Sequence, residues 1–156
     1  MTGLLDKLLK LLMTACLAMM VIVVTWQVVS RYALGDPSAW TEEVARMLLI
    51  WVGLLGGAYA YRVKAHLGLD LLRQRVGAVG KKRLSMIADV CCGTFALAVL
   101  VIGGGLLVQL TWELRQTTAA LGIPMAWVYV VLPLSGVLIV YFSIVSLLSG
   151  YPEAEE

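Results

Sequence analysis

The chain has 156 residues, of which 61% are apolar and 14% charged, with a formal net charge of +2. An average soluble domain carries about 45–50% apolar and about 25% charged residues, so this composition excludes a water-soluble globular domain and specifies a membrane protein. Cutting the sequence at its ionised residues leaves four uncharged runs, residues 11–30, 47–61, 90–112 and 116–152, to be matched against the roughly 20 apolar residues that one helical crossing needs.

The first run predicts a span over about residues 8–32. "LMTAC" at Leu12–Cys16 faintly resembles a lipid-attachment signal, and a cleaved leader is the other alternative. Only three apolar residues separate Lys10 from Thr14, and the apolar run continues well past Cys16, so a retained span is expected.

The second run has fifteen residues and cannot cross alone. Its helix must therefore recruit "WTEEVAR", and the predicted span covers about residues 40–62. Asp36 or Ser38 is placed to cap its first turn, with Pro37 tolerated there because its missing donor has no intrahelical partner. Glu42 and Glu43 complement the positive end of the helix dipole. Arg46, four residues after Glu42 and three after Glu43, is expected to pair with them along one face. Trp40 suits the membrane boundary. Trp51 lies ~16 Å further along the helix, a depth at which an indole is expected to pack on protein. Gly53 and Gly57, beside Gly56 and Ala60, allow a second helix to approach closely. That helix belongs either to this chain or to a partner.

Between the second and third runs, "HLGLDLLRQRVGAVGKKRL" places Leu67, Leu71, Leu72 and Val76 at helical spacing, away from Arg73 and Arg75. The pattern predicts a short amphipathic helix on the membrane surface, its cations near lipid headgroups. A solvated loop is the plainer alternative. The third span is predicted over about residues 84–112, with Gly103, Gly104 and Gly105 as a second close-approach surface. Asp89 is the one acid within it, expected to reach the interface or to pair with Lys82. Pro124 divides the last run into a loop and a span over about residues 125–149.

Nine cations (Lys7, Lys10, Arg62, Lys64, Arg73, Arg75, Lys81, Lys82 and Arg83) fall on one side of this arrangement and three (Arg31, Arg46 and Arg115) on the other. Lys and Arg resist translocation, so both termini and the central loop are expected in the cytoplasm. The predicted fold is an all-α membrane protein. Its four transmembrane helices form two hairpins in a single integral membrane domain, residues 1–156.

Most membrane chemistries find no residues here. A bis-histidine haem site needs two axial ligands on facing helices, whereas the sole histidine is His66 at the membrane border. No His, Cys and acid cluster has metal-ligand spacing, and Ser and Thr lack a histidine base. Cys16, Cys91 and Cys92 lie inside predicted spans and outline no disulfide framework. A complete secondary transporter builds its site from repeated halves with broken helices at mid-membrane. Four spans without such breaks describe a part of a transporter. The competing class is a self-assembling small transporter or channel in which Asp89 is the coupling residue.

"QVVSRYALGDPSAWTEEVARMLLIWVGLLGGAYAYRVKAHLGLDLL", residues 27–72, resembles the small membrane subunit of tripartite ATP-independent periplasmic (TRAP) transporters, the DctQ family. The matching positions are Arg31, Tyr32, Trp40, Glu42, Glu43, Arg46, Trp51, Leu55, Gly56, Arg62, His66 and Asp70. A second segment offers Thr118, Ala119, Ala120, Leu121, Ile123, Pro124, Tyr129 and Pro133, with Ala119 standing where the family frequently has Pro.

The resemblance implies a non-enzymatic, cofactor-free subunit of the bacterial inner membrane. Its expected partners are a large permease subunit carrying the sodium and substrate sites, a periplasmic substrate-binding protein and membrane lipids, with no nucleic acid. The transported class it implies is an organic acid such as a dicarboxylate or sialic acid. Span two is expected to meet the large subunit through Trp51, Gly53 and Gly57, while Glu42, Glu43 and Arg46 order the outer rim; Arg31 and Trp40 are further motif positions expected at a partner interface or in a structural role. Arg62, His66 and Asp70 are expected to pin the cytoplasmic turn.

Overall fold

The computed structural model describes residues 2–36, 38–63 and 78–148, without the side chains of 2–5, 78, 79, 81 and 82. Helix α1 covers Thr2–Tyr32 and α2 covers Ala39–Arg62. The third crossing is built from α3, Ala78–Phe95, a π-helical stretch, Ala96–Gly103, and α4, Gly104–Glu113. The fourth is built from α5, Met125–Tyr129, and α6, Val131–Leu148. Among the described residues, four helical stretches are long and apolar enough to cross a membrane, Asp6–Tyr32, Ala39–Arg62, Arg83–Glu113 and Met125–Leu148. The surface helix expected around Leu67–Val76, together with His66, Asp70 and Pro37, lies outside the described residues.

Among the described residues, α1 packs on α2 alone, α2 lies between α1 and α6, and α6 also packs against every part of the third crossing. The fourth crossing is thus the centre of the bundle and α1 its edge. The core gathers Leu9, Leu55, Tyr61, Val131 and Phe142, with Met13, Ile50, Trp51, Leu54, Leu132, Leu138 and Ile139 packed around them. Outside this core, large apolar side chains such as Ile22, Leu49, Phe95, Leu106 and Ile144 stay exposed. Their outward orientation needs hydrocarbon or a protein partner, because water would make it costly.

Two hydroxyls buried in the third and fourth crossings are satisfied by nearby backbone, as an apolar medium requires. Thr111 donates to the carbonyls of Leu107 and Val108, and Ser135 to that of Leu132. Pro133 explains the break between α5 and α6: it has no N–H to offer Tyr129 four residues earlier, and its ring would press on that carbonyl. The bundle seam is tight at three glycines; a Cβ at Gly93 would lie 2.7 Å from Ser143 Oγ, and at the other two it would meet firmer obstacles. A Cβ at Gly136 would lie 2.7 Å from Leu100 Cβ and 3.0 Å from Val101 N, both on the π-helical stretch. A Cβ at Gly104 would lie 2.8 Å from Leu132 Cβ. Only hydrogen there lets the third and fourth crossings meet at this distance. The middle glycine of the Gly103–Gly105 run thus serves the chain's own packing, while Gly105 meets nothing within 4 Å.

Candidate functional site

The entrance of α2 forms a polar rim. Ser38 is the residue preceding the helix, in extended conformation, but its hydroxyl caps no N–H. It is engaged instead between Ser30 Oγ at 3.2 Å and Thr41 Oγ1 at 3.1 Å. Thr41 in turn donates to the Ser38 carbonyl at 2.6 Å. This hydroxyl chain, buried at Ser30 and Thr41, ties the end of α1 to the start of α2. Gly35, at φ +69°, provides the left-handed turn between them.

The charged trio divides. Arg46 Nη2 donates to Glu42 Oε1 at 3.0 Å, with both side chains well exposed. Glu43 makes no ion pair with Arg46; it turns to the loop joining the two halves of the second hairpin. The N–H groups of Ala120 and Leu121 donate to Glu43 Oε1 and Oε2 at 2.7 and 3.0 Å. That loop is closed on itself. Thr118 N–H donates to Ile123 O, Ile123 N–H to Thr118 Oγ1, Gly122 N–H to Thr118 O, and Met125 N–H to Gln116 O. Arg115 and Gly122 take left-handed backbone to make it, at φ 48° and 64°. Glu43 prefers two exposed amides because a carboxylate accepts both at once, whereas Arg46 already has Glu42 one turn back.

Between α2 and this loop lies a cleft of about 450 Å³. Glu43, Arg46, Met47 and Ile50 form one wall, and Gln116, Thr117, Thr118, Ala119, Met125 and Val128 the other.

Further along α2 the faces separate. Trp51 is half-buried against the core, while Gly53 and Gly57 are exposed and a Cβ at either would meet nothing within 4 Å. Glu42, Arg46, Leu49, Gly53 and Gly57 are all exposed, and their spacing of four, three, four and four places them on one stripe. The structure therefore joins Gly53 and Gly57 to the ionic rim and places Trp51 on another face.

At the far end of α2, Arg62 pairs with Asp6 at 3.3 Å and lies 5.6 Å from the Phe142 ring centre. Lys10 stands over the Tyr59 ring at the same distance, 5.6 Å. Tyr61 donates its hydroxyl to Asp89 Oδ1 at 2.8 Å, and Ser143 donates to the Asp89 carbonyl at 2.7 Å. Three crossings thereby meet at Asp89. Sequence reasoning had not found this node, nor Asp6 as the partner of Arg62. The available signal was a single acid in each of two largely apolar helices, with no indication of which neighbour would face it.

A model of the DctQ component of tripartite ATP-independent periplasmic transporters matches residues 20–152. Among curated proteins, the chain is 34% identical to a sialic acid TRAP transporter small permease protein, SiaQ, of Vibrio cholerae, over 89% of this chain and 80% of that one. It is 29% identical to a putative TRAP transporter small permease protein of Haemophilus influenzae, over 92% and 88% of the two chains. It is also 32% identical to the isethionate TRAP transporter permease protein DctMQ of Oleidesulfovibrio alaskensis, over 81% of this chain but 21% of that longer protein. The rim and the Arg62 end described above are thus those of a multi-pass membrane protein, and the chain belongs to the DctQ component family of tripartite ATP-independent periplasmic transporters.

Proposed function

We propose that the chain is the scaffold subunit of a binding-protein-dependent, sodium-coupled importer of an organic acid in the bacterial inner membrane. The Glu43 rim then faces the periplasm and both termini face the cytoplasm, as the distribution of cations favours. The large permease subunit carries the substrate and sodium sites, and this chain braces it.

The observation that carries the reading is the stripe Glu42, Arg46, Leu49, Gly53 and Gly57. Where the chain packs on itself closely it uses Gly104 and Gly136, and it leaves Gly53 and Gly57 open. An outward small-residue face in a membrane helix suits close approach of another helix. The reading is supported by the DctMQ relative, in which the matched region makes up 21% of a longer permease polypeptide. Trp51, turned to the core, contributes by holding α2 in place. Arg31, Trp40 and Glu43 shape the surface offered to the substrate-binding protein. Relatives named for sialic acid and for isethionate support an organic acid as the substrate class, either a dicarboxylate or a sialic acid being the expected one.

The test is co-purification with a large TRAP permease subunit, together with substrate uptake. Gly53→Leu and Gly57→Leu are expected to lose both while the isolated chain keeps its thermal stability. Unchanged co-purification in both variants rejects the stripe as the interface. Substrate flux through vesicles holding this chain alone, abolished by Asp89→Asn, would instead establish a self-assembling transporter.

A further inference from the structure

The cleft beside Glu43 adjoins the stripe proposed above and shares Arg46 with it, and its chemistry changes with depth. Glu43, Arg46, Gln116, Thr117 and Thr118 line it together with Met47, Ile50, Met125 and Val128. Ile50 lies seven residues beyond Glu43 in α2, about 10 Å further along the axis, so the wall of α2 turns from ionic to apolar within the cleft. The volume, about 450 Å³, falls within the roughly 300–1,000 Å³ of small-molecule sites. Water filling the Met47 and Ile50 end would find no polar partners there. An occupant with a polar head and an apolar tail satisfies both ends.

The charges select the head. The ionised residues lining the cleft are Glu43 and Arg46, one of each sign, so a head that carries both charges matches it better than a purely anionic one. Arg46 uses one terminal nitrogen on Glu42 and has further donors for a phosphate. The carboxylates retain acceptor capacity for an ammonium. Gln116, Thr117 and Thr118 add neutral donors opposite Arg46. We propose that this cleft is a binding site for one zwitterionic phospholipid with a primary-ammonium headgroup. The phosphate lies toward Arg46, the ammonium toward the glutamates, and one acyl chain runs between Ile50 and Met125.

The test is native mass spectrometry of the purified full chain, and of the chain co-purified with its large permease, titrated with dioleoyl phosphatidylethanolamine or dioleoyl phosphatidylglycerol. One phosphatidylethanolamine is expected to stay bound in both preparations, at least tenfold more tightly than phosphatidylglycerol. Arg46→Gln, which removes the phosphate partner, and Met125→Trp, which fills the cleft from the loop side, are each expected to weaken that adduct about tenfold. Ile50→Trp fills it from the α2 side and repeats the test if Met125→Trp fails to fold. Equal retention of the two lipids, or equal adducts in wild type and in the folded variants, overturns the proposal. So does displacement of the lipid by inorganic phosphate, which would mark an ion site. Loss of the adduct only on assembly with the permease also overturns it, because the cleft would then hold a protein segment.

Discussion

The Tyr61 hydroxyl lies 2.8 Å from Asp89 Oδ1, linking the second crossing to the third where Ser143 of the fourth also reaches the Asp89 carbonyl. A carboxyl group within an apolar helix is costly unless such partners are present, and here they come from both neighbouring helices. Tyr61→Phe and Asp89→Ala are each expected to lower the thermal stability of the purified chain. The size is about 0.6 kcal/mol, and at most about 2 kcal/mol, the range for side-chain hydrogen bonds between membrane helices. Asp89→Asn keeps an oxygen for Tyr61 and should cost less. Uptake by the assembled transporter, normalised to the amount of complex, should survive Asp89→Asn.

The glycines make a sharper contrast. Gly136→Ala places a methyl group 2.7 Å from Leu100 Cβ and 3.0 Å from the Val101 backbone nitrogen, and backbone cannot swing away as a flexible side-chain end can. The expected loss is about 1–3 kcal/mol, as for overpacked cores. Gly53→Ala and Gly105→Ala meet nothing within 4 Å and should leave the isolated chain as stable as before. Thermal unfolding in one detergent compares all three. Equal losses at Gly136 and Gly53 would mean that the seam between the third and fourth crossings is not where the close approach occurs.

What could be read in advance followed from local periodicity and composition. Uncharged runs found the four crossings, and the shortness of the run from Met47 to Tyr61 correctly drew Glu42, Glu43 and Arg46 into α2. The Glu42 and Arg46 pair is a relationship within one helix, and spacing alone finds it. The contact of Glu43 with Ala120 and Leu121 crosses 77 and 78 positions, and no local rule specifies which distant loop will present its amides. The same limit hid Asp6 from Arg62, 56 positions apart. Small-residue spacing marked Gly53 and Gly57 as candidates for close approach but could not say whether they faced inward, and they face outward with nothing within 4 Å. Trp51 was grouped with them by depth, although two residues along a helix turn the side chain by about 200°.

Asp6 and Arg62 lie 3.3 Å apart and both are partly exposed, at 26% and 35%. Water reaches this pair and lowers its worth. A double-mutant cycle with Asp6→Asn and Arg62→Gln should give a coupling of about 0.2–1 kcal/mol, the range for exposed pairs, shrinking in high salt. Arg62→Lys should recover less than the full effect. An ammonium keeps the charge toward Asp6 but does not reproduce the planar guanidinium beside the Phe142 ring. Full recovery by Lys would show that the ring contact contributes nothing.

Among the described residues, Glu43 is the one side chain that hydrogen-bonds from the first hairpin to the loop of the second, so its removal should act at a distance in sequence while leaving the four crossings intact. Its two oxygens each hold one amide of the loop, Ala120 on Oε1 and Leu121 on Oε2. Glu43→Gln retains one acceptor and replaces the other with a donor that faces an N–H. One amide is then left without its partner, and the remaining bond loses its charge assistance. Hydrogen exchange at Ala120 and Leu121 is expected to quicken, more in Glu43→Ala than in Glu43→Gln. Exchange at Thr118 and Met125, whose N–H groups bond to Ile123 O and Gln116 O, should change less, because those bonds close the loop on itself. A uniform increase across residues 116–125 would mean that Glu43 organises the loop as a whole. No change at Ala120 and Leu121 would mean that the loop holds its shape without α2.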